Sequence, residues 1–146
     1  MQLTDKPIDE VTLRLYEIPS GITGRDLIRK ICLSFGLLQP NDSRNIIIDV
    51  LWNLIIASKQ KKWISSKEIE MKVVEFRKIE NISISGTASS NIRRILKLLK
   101  DKKIIERKKS KYRIINFAPA QEVFEKSFRE RLEKIISRNK TYLKLV

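Results

Sequence analysis

The sequence predicts a mainly α-helical protein with one small β-hairpin, and three observations lead there. Apolar residues recur every three or four positions in several separate stretches, the pattern of helices that bury one side. Two short β-prone runs, Ile104 to Arg107 and Tyr112 to Ile115, flank the charged turn Lys108-Lys109-Ser110-Lys111, as the strands of a hairpin do. Only four glycines and four prolines interrupt 146 residues of which 42% are hydrophobic, so the chain can bury a core and is not of low complexity. Its length suits one compact domain with some appended structure.

The first segment supports two readings. Ile8, Val11, Leu15 and Ile18 fit a helical face, whereas Val11, Leu13 and Leu15 alternate with Thr12 and Arg14 as a strand would. Beyond Pro19 and Gly21, Thr23 or Gly24 can cap a helix whose apolar side is Leu27, Ile28, Ile31, Cys32 and Phe35, with Gly36 ending it. Cys32 on that side has a packing role. After the break at Pro40-Asn41-Asp42, a helix from Asp42 or Ser43 to Ser58 is apolar nearly all round except for the line Asn45, Asp49 and Asn53. Such a helix must be covered on several sides, so it is the central core helix, covered by the N-terminal segment or by a second subunit.

Lys59 to Lys62 then form a loop, and Trp63-Ile64 a one-rung strand. Ser65 and Glu68 have the spacing of a capping box, which starts a helix from Ser66 to Arg77 with Ile69, Val73 and Phe76 inward. A polar, glycine-ended turn, Asn81 to Gly86, leads to a second helix over residues 87–102, and the hairpin, 104–115, follows directly. Pro119 suits the first position of a last helix reaching Arg138, with Phe124, Phe128, Leu132 and Ile135 along one side. The chain thus divides into an N-terminal extension (1–40), a central domain (41–117) and a C-terminal helix (118–146).

Charge is the most informative bulk property. The chain carries 31 basic and 17 acidic side chains, a net +14, which attracts polyanions. Residues 86–116 hold 11 of the basic groups and only 2 of the acidic ones, so the excess is a patch and not an even surface. One cysteine excludes an internal disulfide framework and suits a reducing cytoplasm, and the absence of histidine removes the usual zinc arrangements. The longest apolar stretch, Ile46 to Ala57, is interrupted by Asp49 and Asn53 and is too short to span a bilayer. No phosphate-binding glycine loop, GxSxG or spaced carboxylate cluster is present, so no catalytic role, metal or cofactor is expected.

On the 87–102 helix, Ile92, Ile95, Leu96 and Leu99 share the inward face, while Thr87, Ser90, Asn91, Arg93, Arg94 and Lys97 lie opposite or beside it. Short hydroxyls followed by long cations suit a helix laid in the major groove of a duplex: Arg bonds a guanine edge bidentately, and Ser, Thr and Lys reach phosphates or bases. Helix, turn, helix and basic hairpin in this order, with Leu96, Leu99, Lys103-Ile104-Ile105 and Arg107 before a basic turn and Tyr112-Arg113-Ile114, resemble the winged helix-turn-helix regulators of the MarR and ArsR type. The resemblance covers residues 43–117, about half the chain. It departs from the family at Lys103, where glycine is usual, and in the longer stretch between Ile69 and Thr87. It implies a winged helix-turn-helix fold with flanking N- and C-terminal helices and a DNA-binding set of Thr87, Ser90, Asn91, Arg93, Arg94 and Lys97 on the recognition helix. Lys108, Lys109, Lys111 and Arg113 belong to the wing.

The expected partner is therefore double-stranded DNA, bound by a regulator of transcription. A partition or replication-origin protein, a chromatin protein and a winged-helix module for protein partners stay open beside it. The aromatic residues Trp52, Trp63, Phe76, Phe124 and Phe128 fall at core positions and leave Tyr112 as the one surface stacker, too few for a single-strand binder. The edge formed by Phe124, Phe128, Leu132 and Ile135 is expected to pair with its twin in a homodimer, whose two-fold symmetry would match half-sites roughly 34–36 Å apart.

Overall fold

A computed structural model describes residues 3–146. Those residues form helices α1 (Gly24–Ser34), α2 (Ile46–Lys59), α3 (Ser66–Ile79), α4 (Ser89–Asp101) and α5 (Ala120–Leu143), with strands β1 (Ile64–Ser65), β2 (Ile105–Lys108) and β3 (Lys111–Ile114). The strands make one antiparallel sheet in the order β1-β3-β2, with Ser65 paired to Lys111 and Ile105 to Ile114. The protein is mainly helical with a small three-stranded sheet, and no described helix is long and apolar enough to cross a membrane.

Helix α2 is the centre, as its all-round apolarity requires. Ile48, Val50, Leu51 and Leu54 are fully buried, each contributing about 1.5–3 kcal/mol of hydrophobic stabilisation. It begins at Ile46 and not at Asp42, because the Asp42 carboxylate accepts the Arg44 N–H at 2.9 Å and holds a local turn in place of a helical one. Its one buried charge, Asp49, accepts Arg25 Nε at 2.9 Å from α1, and Arg77 Nε at 2.9 Å and Nη2 at 2.6 Å from α3. Arg77 also donates to Asn45 Oδ1 and to the Ser83 carbonyl, each at 2.7 Å. The periodicity of α3 points Ile69 and Val73 inward; the third inward residue is Arg77, 3% exposed, while Phe76 is half-buried against Trp52.

Four helices end in the same way. At α1, α2, α3 and α4 a residue with positive φ follows the C-cap: Gly36, Lys61, Asn81 and Lys103, with φ between 54° and 69°. For α4, Lys103 N–H donates to Lys100 O at 2.9 Å and Ile104 N–H to Leu99 O at 3.0 Å, the paired bonds of a Schellman turn. Lys103 thus adopts the backbone conformation for which glycine is the usual choice. At the start of α3, Ser65 Oγ accepts Glu68 N–H at 3.1 Å, but the Glu68 carboxylate takes the Ser65 hydroxyl at 3.3 Å and not a backbone N–H, so only half of the expected capping box forms.

The N-terminal segment is neither the helix nor the paired strand that its pattern allowed. It is an extended strap held by one main-chain bond, from Arg14 N–H to Ser34 O at 2.9 Å, and by its side chains. Arg14 donates to Leu33 O at 2.7 Å, Leu38 O at 3.1 Å and Gln39 Oε1 at 2.7 Å, so its guanidinium satisfies carbonyls left over at the end of α1. Thr12 crosses so close to Gly36 that a Cβ there would meet it at 2.7 Å. Asp9 receives Arg131 of α5 at 2.8 Å, and that bond holds its carboxyl below the usual carboxylate range.

Helix α5 continues to Leu143, beyond the expected Arg138. Phe124 and Phe128, expected at a dimer interface, are buried within the chain against Phe35 at ring distances of 5.0 and 4.8 Å. Half-buried Phe35, the C-cap residue of α1, supplies the apolar surface that their stripe requires, so they belong to the core. Leu132 stays exposed and Ile135 half-buried. One hydrophobic cluster joins α1, α2, the sheet, α4 and α5, so the flanking segments share a core with residues 41–117.

Two tests follow from this packing. Asp49→Ala strips two buried or half-buried guanidinium groups of their counter-charge and should cost about 3–5 kcal/mol in urea denaturation, whereas an exposed control, Asp5→Ala, should cost under about 0.5. Burial pushes the Cys32 thiol from 9.0 up to about 12. The folded state therefore resists ionisation that the unfolded chain undergoes. This contribution is complete below about pH 9 and lost as pH rises toward 12. Stability measured at about pH 10.5 should fall more, relative to pH 8, in the wild type than in Cys32→Ala.

Candidate nucleic-acid interface

The loop before α4 fixes where that helix starts. Thr87 is buried, and its hydroxyl donates to Ile84 O at 2.7 Å, closing the turn. Gly86 has φ +87° and lies 3.2 Å from Ile46 at the point a Cβ would occupy, so backbone passes close over α2 here. Asn91 donates to the Gly86 carbonyl at 2.7 Å and accepts Arg94 at 2.7 Å. Two residues of the expected groove-facing set are thereby corrected. Thr87 lies in the loop, one residue before the Ala88 N-cap, with its hydroxyl turned to backbone, and Asn91 is half-buried with its amide committed to the turn.

The rest of α4 matches its wheel. Ile92, Leu96 and Leu99 are fully buried with Ile95 beside them, and Ser90, Arg93, Arg94, Lys97 and Lys100 are exposed. Ser89 donates to Glu70 of α3 at 2.7 Å, leaving Ser90 as the first available hydroxyl. Lys97 pairs with Asp101 one turn on at 2.8 Å, which lowers the Asp101 pKa. Both groups are exposed, so the pair breaks at little cost when a stronger anion approaches. The helix is tied to α3 through the loop anchored by Arg77, so its outward face is held at a fixed angle to the core.

The hairpin turn is shorter than expected. Lys108 pairs with Lys111, leaving the two-residue tip Lys109-Ser110, with Lys109 at φ +58° and its carbonyl taken by Arg107 Nε at 2.6 Å. Lys108, Lys109 and Lys111 project outward, and Ile105, Tyr112 and Ile114 face the core. Tyr112 is 8% exposed and so is no surface stacker. Among the described residues Arg93, Lys100, Lys108, Lys109 and Lys111 form no ion pair.

Arg113 is a third correction. Its guanidinium carbon lies 4.3 Å from the Trp63 ring centre and 4.5 Å from that of Phe117, and its Nε bonds Glu106 at 2.9 Å. Glu106 also accepts Asn116 N–H at 2.8 Å. Arg113 therefore ties strand β3 to the segment before β1 and to the turn that follows β3. Trp63, expected in the core, is half-buried as one wall of this cluster. Local sequence marks Arg113 as one more wing cation; only the β1–β3 pairing reveals its neighbours. The same pairing carries exposed Lys67, in the first turn of α3, to the Lys111 side of the sheet, a position that linear spacing does not disclose.

The face composed of α4 and the hairpin offers hydroxyl and cationic donors on a rigid support, and a cavity of about 830 Å³ lies beside it, lined by Asn91, Arg94 and Leu98 of α4 and by Ile46 and Ile47 of α2. Among the described residues no three His, Cys, Asp or Glu side chains converge as a metal site requires. Because Arg113 is stacked and ion-paired, Arg113→Ala should lower stability by about 1–2 kcal/mol. Lys111→Ala should leave it within about 0.5 kcal/mol, a contrast readable by thermal melting. No family model, curated protein or solved structure matches the chain.

Proposed function

We propose that this protein binds duplex DNA as a winged helix-turn-helix, with α4 in the major groove and the β2–β3 hairpin on the flanking phosphates. The observation that carries this reading is the exposed set Ser90, Arg93, Arg94, Lys97, Lys100, Lys108, Lys109 and Lys111. These donors face outward from one helix and the hairpin that follows it, on elements whose inward faces are packed in the core. The order of elements supports it: a helix pair, α3 and α4, then a hairpin whose inner strand also pairs with a short strand before α3. Arg93 and Arg94 near the start of the exposed face are suited to base edges, and the lysines to phosphate. A transcription regulator that recognises a defined site, needing neither metal nor cofactor, is the role such a surface fits.

Fluorescence anisotropy of labelled random duplex across a salt series tests the proposal. Binding should weaken steeply with salt, and Arg94→Ala/Lys97→Ala should reduce both affinity and the salt slope, by about one unit for each lost phosphate contact. Lys109→Ala/Lys111→Ala should lower the slope while preserving sequence preference, because wing contacts read backbone. Absence of duplex binding at about 50 mM salt would refute the proposal and turn the basic face over to a protein partner.

A further inference from the structure

A duplex lying on the outward face of α4 would leave the cavity of about 830 Å³ on that helix's flank unfilled. Its size falls within the roughly 300–1,000 Å³ of small-molecule sites. Its walls are fixed by the fold. The bond from Arg77 to the Ser83 carbonyl anchors the 83–86 loop, and Thr87 closes the turn onto Ile84 O, each at 2.7 Å. The lining combines two chemistries. Ile46, Ile47, Ile95 and Leu98 make part of it apolar, and Leu98, 40% exposed, is the one exposed large apolar side chain of α4. The polar part suits an oxyanion: the guanidinium groups of Arg44 and Arg94, with the exposed hydroxyls of Ser43, Ser83 and Ser85. Arg94 forms no ion pair among the described residues. Its bond to Asn91 Oδ1, at 2.7 Å, goes to a neutral acceptor and leaves its charge unspent. The Arg77 charge is met by Asp49, and the carboxylate on the wall, Asp42, is engaged by Arg44 N–H at 2.9 Å and Nε at 3.5 Å.

We propose that the cavity binds a nucleoside monophosphate, with its phosphate at Arg94 and Arg44, its sugar hydroxyls at the serines and its base against Ile95 and Leu98. Binding of the nucleotide does not rest on the DNA reading; its consequence for DNA does. Guanidinium groups match the geometry of a phosphate and hold it by paired, charge-assisted bonds. A flat base covers an aliphatic wall and stacks on a guanidinium plane, so one ligand uses both halves of the lining. Inorganic phosphate carries the charge and leaves the apolar wall bare. A phosphate of duplex DNA does the same, because its base is stacked inside the double helix. On the helix wheel Arg94 lies on the outward face and Leu98, one turn on, beside it toward the cavity. A ligand that holds Arg94 in the cavity withholds it from the major groove. Nucleotide and duplex therefore lower each other's affinity by the same factor.

Titration calorimetry of the full chain tests the site, with adenosine monophosphate and cytidine monophosphate as probes at about 150 mM salt, where loose attraction to the basic surface is screened. At least one should bind at a single site per chain, about tenfold or more tighter than inorganic phosphate and than its own nucleoside. Arg44→Ala, at a side chain 91% exposed, should weaken that binding about tenfold. Leu98→Glu, which sets a carboxylate against the phosphate, should abolish it. Lys109→Ala/Lys111→Ala, on the hairpin, should leave it within about twofold. Added to labelled duplex, the same nucleotide should release DNA from the wild type and not from Arg44→Ala. Binding no tighter than that of inorganic phosphate, or weakened as much by the hairpin variant as by Arg44→Ala, overturns the proposal. So does a nucleotide that leaves duplex affinity unchanged. Loss of duplex binding in Arg44→Ala, with no nucleotide bound by the wild type, overturns it too and makes the cavity a seat for backbone phosphate. Should Leu98→Glu unfold by circular dichroism, Arg44→Ala decides alone. Nucleotide binding without duplex binding would sustain the site while the DNA reading failed.

Discussion

The buried carboxylate of Asp49 is the constraint on which the rest of the structure depends. Removing a carboxylate and a guanidinium from water costs several kcal/mol per ion, and the loss is offset only where geometry is good and remaining donors find partners. Asp49 and Arg77, 1% and 3% exposed, meet that condition: each carboxylate oxygen is bonded, and Arg77 uses Nε and both terminal nitrogens. An apolar helix such as α2 has little to prevent its neighbours from rotating or sliding, since one isoleucine covers another about equally well. The carboxylate removes that freedom. Arg25 fixes α1 and Arg77 fixes α3 about the same point, and the bond from Arg77 to Ser83 extends the constraint into the loop that aims α4.

A second constraint works at helix ends. Four consecutive helices stop with a residue in the left-handed conformation, yet only one of the four is glycine. A lysine there costs roughly 1–2 kcal/mol relative to a comfortable backbone, and Lys61 and Lys103 are held in it by the bonds that follow and by the burial of Ile64 and Ile104 just beyond. The departure of Lys103 from the glycine pattern therefore leaves the turn intact and adds a cation where α4 passes into the hairpin.

What the sequence made legible is what local spacing controls. The wheel of α4 placed Ile92, Leu96 and Leu99 correctly, and the hairpin strands and the Ser65 cap start follow from neighbouring residues. Some of the failures are local, and the others have a distant partner. Thr87 reads as an exposed hydroxyl until Ile84 folds back under it. Arg113 reads as a wing cation until β1 brings Trp63 alongside. Phe124 and Phe128 read as a free stripe until Phe35, some ninety residues earlier, covers them. Arg14 sits in a segment without any clean period because its role is to serve carbonyls at the end of a helix twenty residues away. Charge density, by contrast, survives folding: the segment 86–116 remains outward on every side that the core does not claim.

That density carries its own consequence for function. Of the two acids in the segment, Glu106 is spent on Arg113 and the Asn116 backbone, and Asp101 on Lys97, so among the described residues Arg93, Lys100, Lys108, Lys109 and Lys111 are left without an ion pair. Mutual repulsion among them opposes the compact state, and nothing in the core needs them. The fold tolerates this because Asp49 and the apolar cluster around α2 set the stability elsewhere, leaving the surface free to hold charge at high density. A polyanion bound to that face would relieve the repulsion as well as supply counterion release, so binding and folding would favour each other through the same residues. The stiffness imposed by a single buried carboxylate and the unrelieved charge outside it are in this sense two parts of one design: the first allows the second to be held in position without a partner present.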